Sequence, residues 1–248
     1  MKIVTNEALI KRNQRTGQIT SLAGLTVLGL GMVISFALPQ YLWVSIIALP
    51  VGFILSQMGL YYGNRFGRSP RPDEVINRAL KGLDDRYTLM HYTAPTAHLL
   101  TGPGGVWVLL PKYQRGTISY DEKRKRWRQS KQGFFYAYLS LFGQEGLGRP
   151  DLEVRVETDA VQRYLVEKLG KDKVPPIQTA LIFTNENAIL EADNAPIATI
   201  PAQKLKDLLR KAAKNRSLAA NKIEAVNQAI IGERDLKIET ENEETEEQ

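Results

Sequence analysis

The sequence predicts a chain in two parts: a helical hairpin apolar enough to cross a bilayer, then a basic α/β domain built on a mixed sheet. Three observations carry this. No charged side chain lies between Arg15 and Arg65, a run with room for two spans of about 20 residues each. From Asp73 onward, helical and strand-like hydrophobic periods alternate, as in α/β domains. Two continuous apolar runs, VWVLL at 106–110 and IQTALIF at 177–183, read as strands buried on both faces.

The hairpin comes first. Residues 1–18 read as a polar, basic N-terminal segment, and the spans run from about 19 to 38 and from about 41 to 61, with Pro39 and Gln40 between them. Tyr41 and Trp43 mark one interface and Tyr61 and Tyr62 the other, where amphipathic rings prefer to lie. Lys2, Lys11, Arg12 and Arg15 precede the spans, Arg65, Arg68 and Arg71 follow them, and the turn is uncharged. By the positive-inside rule both ends of the hairpin are expected on the cytoplasmic face of a cell membrane crossed twice. A signal peptide fits less well: the first apolar run is too long, no small-x-small cleavage site follows, and a second span begins at once. Gln57 is the one strongly polar side chain well inside either span, which gives transport little support.

Within the second span Gly52, Ser56, Gly59 and Gly63 carry the small-residue spacing that lets helix backbones approach. Two readings stand: the hairpin packs against itself, or this face joins copies of the chain into a homo-oligomer. Pro50 is tolerated in a membrane helix.

Residues 63–72 form a basic linker, and the domain is expected over 73–232. Val75, Ile76, Ala79, Leu80 and Leu83 recur at helical spacing. Strands follow at about 87–92, at 98–100, and, after the turn signal Gly102-Pro103-Gly104-Gly105, at 106–110. With 116–120 they read as a meander, and Trp127 lies beyond a charged turn. A helix around 161–169, the strand 177–183, edge strands at 189–190 and 198–200, and helices at 202–213 and 217–231 complete the domain. The segment 233–248 is acidic, repetitive and expected to be disordered.

Composition narrows the chemistry. The 248 residues include no cysteine, so disulfides and thiolates are excluded. His91 and His98 are the only imidazoles, which argues against a His- or Cys-built metal site. The net charge of +6 conceals an asymmetry, because the last sixteen residues carry eight acids against Arg234 and Lys237. A basic body with an acidic tail points to polyanions or anionic lipid as partners.

The stretch 97–118, AHLLTGPGGVWVLLPKYQRGTI, resembles the core of the nuclease-related domain (NERD) family, a branch of the restriction-endonuclease-like fold. Members of that family run as an aspartate, a histidine and an apolar strand, then Gly-Pro and a Gly-Val strand ending in Glu-x-Lys, then a Gly-x-Ile strand. His98, Gly102, Pro103, Gly105, Val106, Lys112, Gly116 and Ile118 fall in those places, and Trp127 follows as in many members. The resemblance covers about residues 73–212 and implies a restriction-endonuclease-like mixed-sheet domain. It also locates what is missing. The position matching the metal aspartate is Ala97, and that matching the glutamate of Glu-x-Lys is Leu110. Neither offers the oxygen ligands a hard cation needs. Lys112 is the only retained candidate of the catalytic motif, so no metal, no cofactor and no catalysis are expected. Asp84, Asp85, Asp121 and Glu122 read as surface acids.

The densest basic run is 121–131, DEKRKRWRQSK. Lys123, Arg124, Lys125, Arg126, Arg128 and Lys131, with Lys112 and Arg115 upstream, form the candidate anion-binding set. Three readings compete for it. It is a solvated turn with Trp127 packed in the core, or it docks on anionic lipid headgroups. The third reading has it hold nucleic-acid phosphates while Trp127, or Phe134, Phe135 and Tyr136, stacks on bases. The sequence thus points to a silent, membrane-anchored scaffold or polyanion-binding module. The alternative is a membrane-associated protein that binds or processes DNA.

Overall fold

The computed structural model describes residues 1–130, 146–215 and 217–232. The chain divides into two compact units: one holds Glu7–Pro72, and the other gathers Met1–Asn6 with residues 73–130 and the described residues from Leu147 onward.

The first unit is a pair of antiparallel helices, α1 (Glu7–Ala37) and α2 (Leu42–Tyr62), joined by a single 3-10 turn at Pro39–Tyr41. At ~1.5 Å per residue the 21 residues of α2 extend about 31 Å, close to the hydrocarbon thickness of a bilayer. With 31 residues, α1 is longer; its first turns hold Glu7, Lys11, Arg12 and Arg15, and only the remainder is uncharged. Both helices are long and apolar enough to cross a membrane. Most of their large apolar side chains face outward, among them Leu22, Leu25, Phe36, Ile46 and Leu49, which a water-soluble core helix does not tolerate.

The seam between the helices is made of small residues. Gly17, Gly24 and Gly31 are the buried positions of the apolar part of α1, and Ser45, Gly52 and Gly59 those of α2. Each set repeats every seven residues, which keeps one stripe facing the partner helix. A Cβ at Gly24 would lie 2.8 Å from Ser56 N and 3.1 Å from Gly52 O, and one at Gly59 would lie 2.8 Å from Ser21 Cα. Close backbone approach therefore requires glycine here. The Ser45 hydroxyl donates to Gly31 O across the seam at 2.7 Å. Three of the four small residues singled out in the second span serve this contact. Gly52 and Gly59 face α1, and Ser56 abuts Gly24 while donating to Gly52 O. The face that sequence offered to a second copy is thus taken up inside the hairpin. Gly63 has open space around its would-be Cβ and belongs to a wider, π-type turn at Gly63–Gly67.

The second unit is an α/β domain with two sheets. Six strands run in the order β1-β2-β3-β4-β7-β9, where β1 is Lys2–Thr5, β2 Thr88–His91, β3 His98–Gly102, β4 Gly105–Lys112, β7 Ile177–Phe183 and β9 Ala198–Pro201. The β2-β3 and β3-β4 pairs are antiparallel; β1-β2, β4-β7 and β7-β9 are parallel. A smaller sheet, β6-β5-β8, joins Arg126–Ser130, Gly116–Asp121 and Ala188–Glu191.

Helices cover both faces of the large sheet, as they must when its strands are apolar on both sides. One face packs Ile76 and Leu80, from α3 (Pro72–Ala79) and the turn after it, with Leu205 and Leu209 of α5 (Leu205–Asn215) against Leu89, Leu100, Trp107 and Leu109. The other packs Val154, Val161 and Leu165 of α4 (Pro150–Leu169), together with Val226 and Ile230 of α6 (220–232), against Met90, Leu99, Val108 and Leu181. The β3-β4 turn is tight because Gly105 adopts φ +111°, a conformation side chains resist.

The structure departs from the sequence expectations in three places. Residues 1–18 are not one segment, since Lys2–Thr5 form a strand of the large sheet and Glu7 already opens α1. The expected meander breaks after β4: the far edge of β4 is occupied by β7, so β5 builds the second sheet with β6 and β8. And α4 starts at Pro150, well before 161; Pro at the first turn with Asp151 and Glu153 beside it is a regular helix opening.

Candidate functional site

Most of the residues singled out at 97–118 lie on β3 and β4. In the β3-β4 pair Leu99 stands opposite Val108 and Gly102 opposite Gly105. Ala97 precedes β3 and Leu110 lies on β4 beyond the paired residues; these are the two positions where the sequence resemblance expects metal carboxylates. Both are aliphatic here. Ala97 O accepts the Tyr92 N–H at 2.8 Å, and Leu110 belongs to the core cluster.

Lys112 follows on the same face of β4. Its side chain is 11% exposed, and Nζ donates to Glu153 Oε2 at 2.5 Å, in the first turn of α4. Its carbonyl accepts the N–H of Thr184 at 2.8 Å. Lys112 is therefore paired with an acid that no local sequence signal places beside it. Glu153 lies 41 residues away along the chain, ahead of where hydrophobic period starts the helix.

The other acids are engaged locally. Asp84 Oδ2 accepts from Arg86 Nη2 at 2.7 Å, and that hydrogen bond holds its carboxyl below the usual carboxylate range. Asp85 is exposed. Asp151 is paired with Arg149 at 2.7 Å, which lowers its pKa in the same way. Among the described residues, no group of three or more Asp, Glu or His side chains is arranged to hold a metal ion.

The two histidines, seven apart in sequence, meet across β2-β3 as a directly opposed pair. His91 Nδ1 and His98 Nδ1 are 2.7 Å apart, and His91 Nε2 is 3.0 Å from Asn77 Oδ1. One consistent assignment has His98 donate from Nδ1 and His91 donate from Nε2. Both are buried, and Tyr92 lies edge-on to His98.

The basic run forms the exposed turn between β5 and β6. Lys123, Arg124, Lys125, Arg126 and Arg128 are all exposed, and Lys125 takes φ +50° to close the turn. Asp121 bridges it: Arg128 Nη2 sits 3.0 Å from Oδ2, and the Arg124 N–H donates to Oδ1 at 3.0 Å. That backbone hydrogen bond, then the charges of Arg128 and Arg124, hold the Asp121 carboxyl below its ordinary range.

Two members of the candidate set are not at this turn. Arg115 is half-buried just before β5 and Lys112 ends β4, so both lie at the far end of a six-residue strand, about 20 Å from the turn. Lys131, Phe134, Phe135 and Tyr136 fall outside the described residues. Trp127 is corrected as a stacking platform. It is 6% exposed, its ring packs on Tyr120, and Nε1 donates to Thr199 Oγ1 at 3.2 Å.

A cleft of about 500 Å³ opens beside β1 and β2, lined by Lys2, Arg86, Thr88, Glu224, Asn227 and others. Asn227 already links Thr101 and Thr88 by hydrogen bonds, so its polar atoms are committed to holding α6. Comparison with family models, with curated proteins and with solved structures finds no match to this chain.

Proposed function

We propose that this chain is a membrane-anchored, non-catalytic binding module: a degenerate, nuclease-related domain held at the cytoplasmic face by a two-span hairpin and meeting phosphate-bearing polyanions through the β5-β6 turn. The observation that carries the non-catalytic reading is alanine at 97 and leucine at 110, with Lys112 bound to Glu153. Hydrolysis of a phosphodiester on this fold needs two oxygen donors for the cation at those places. The membrane reading is supported by two helices whose uncharged stretches are long and apolar enough to cross a membrane and whose apolar side chains face outward.

Burial of Trp127 removes one of the aromatic partners expected at the turn. The clustered positive charge of the turn suits phosphate surfaces. The deciding experiment uses the full chain in nanodiscs of uncharged lipid. It is titrated with duplex DNA and with anionic vesicles over a range of salt, with magnesium or manganese present. Intact DNA, with salt-sensitive capture of one polyanion that is lost in the variant Lys123→Gln, Arg124→Gln, Lys125→Gln, Arg126→Gln, is the expected result. Capture of DNA would favour a DNA-tethering role and capture of vesicles a lipid-docking one. Metal-dependent cleavage abolished by Lys112→Ala would overturn the proposal.

A further inference from the structure

A second concentration of positive charge, unrelated to the nuclease-like motif, lies at one end of the helical hairpin. The packing fixes its height. A Cβ at Gly17 would lie 2.9 Å from Tyr62 Cβ and 3.3 Å from Gly63 N, so those residues are level across the seam. Arg15 is two residues beyond Gly17 and Arg65 is two beyond Gly63, each about 3 Å further along its helix. Arg15 and Arg65 therefore sit at one height, with Arg12 and Lys11 within a turn of them. All four are exposed. Among the described residues none of the four has a carboxylate within ion-pair distance, and no acid occurs between Glu7 and Asp73 to supply one. The opposite end, Leu38–Tyr41, carries no charge at all.

The surroundings say what this collar meets. It borders the uncharged length of both helices, which matches about 30 Å of hydrocarbon. Arg65 lies 4.1 Å over the ring centroid of Tyr61, and Nη1 donates to the Tyr61 hydroxyl at 2.7 Å. Tyrosine capped by arginine is the arrangement favoured where acyl chains give way to headgroups. The β5-β6 turn differs, because Asp121 and Glu122 share its charge.

We infer that Lys11, Arg12, Arg15 and Arg65 form a binding collar for the headgroups of anionic phospholipids, the arginines engaging the phosphate diester as planar, paired donors. The inference rests on the membrane reading above and adds a lipid class to it. Each cation at headgroup height contributes about a fivefold preference for anionic lipid at low salt.

The test reconstitutes the full chain in mixed phosphatidylglycerol and phosphatidylcholine bilayers. It compares the association of spin-labelled versions of the two lipids at low and high salt, after alkaline carbonate extraction has shown the chain retained. A preference for phosphatidylglycerol that weakens with salt is expected. Arg15→Gln and Arg65→Gln should each lower it by twofold to fivefold, and the four-fold Gln variant should abolish it. The turn variant Lys123→Gln, Arg124→Gln, Lys125→Gln, Arg126→Gln should leave it in place. Equal association of both lipids with the unaltered chain, or a preference lost in the turn variant and kept in the collar variant, overturns the inference while membrane residence stands. Release of the unaltered chain by carbonate overturns the membrane reading and the collar together.

Discussion

An indole cannot both fill a core and stack on a nucleic-acid base, and Trp127 fills the core. Its ring and its single N–H are spent on Tyr120 and Thr199. Trp127→Phe should therefore lower stability by about 1–2 kcal/mol, through the lost hydrogen bond and reduced packing, and leave polyanion capture unchanged. Thermal unfolding beside a binding titration checks this; weakened capture at unaltered stability would return the indole to the binding surface. Lys112 and Glu153 make a complementary case. Glu153→Gln leaves a mostly buried ammonium with a neutral partner and should cost about 1–3 kcal/mol, less than a fully buried pair because Glu153 is 40% exposed. Glu153→Gln together with Lys112→Met should recover much of that loss, and urea denaturation of the single and double variants would show it. The Asp121 carboxyl has a depressed folded-state pKa. Its contribution to the turn is present above the unfolded value of about 3.9 and is lost as pH falls through the lower folded one. Polyanion capture should accordingly be flat from pH 5 to 8 and tighten only in more acid solution, where Asp121 protonates. A sigmoid centred near neutrality in the binding-versus-pH curve would exclude this. At this scale the exposed basic residues of the β5-β6 turn were legible as a charge run, whereas Glu153 was not, because its role depends on where a helix starts 41 residues away.

Elements tell a similar story. The strands 106–110 and 177–183 and the helix before 83 were legible because unbroken apolar runs and helical periods are local signals. β1 was not: four residues, KIVT, next to a basic helix carry almost no strand signal, and their partner Thr88–His91 lies beyond the whole hairpin. The departure of β5 from the meander was equally hidden, since an alternating strand reads the same in either sheet. The hairpin seam was half legible: the small residues of the second span stand out, whereas Gly17, Gly24 and Gly31 of α1 lie among other small residues. It makes a sharp comparison. Gly59→Val would press into the Ser21 backbone, whereas Gly29→Val meets nothing within 4 Å. The first should splay the helices and the second should be silent, as judged by distance measurements between spin labels on α1 and α2. Equal effects would mean that the seam is not where the helices meet.

For the molecule as a whole, the consequence of β1 is topological. Parallel strands need a crossover connection, and between β1 and β2 the crossover is the hairpin itself. Lys2 is registered with Thr88 and Thr5 with His91, so the chain before the first span and the chain after the second belong to one sheet. Strands of one sheet share one compartment, which requires an even number of membrane crossings between them. On the proposed membrane reading, the arginines flanking the spans point to the same arrangement by an independent route, the charge bias of cytoplasmic segments. Because the chain has no native cysteine, single cysteines can report on both parts of this claim. The pair Lys2→Cys and Thr88→Cys should form a disulfide in intact membranes as readily as the control pair Thr117→Cys and Ser130→Cys, which are opposed in the small sheet. Single cysteines at Lys2 and at Lys123 should react with a membrane-impermeant maleimide from the same side, and one at Gln40 only from the other. Labelling of all three from one side would remove the spans. Labelling of Lys2 and Lys123 from opposite sides would break the sheet instead, and with it the reason that a fragment starting after the hairpin should expose the edge of β2 and fold poorly.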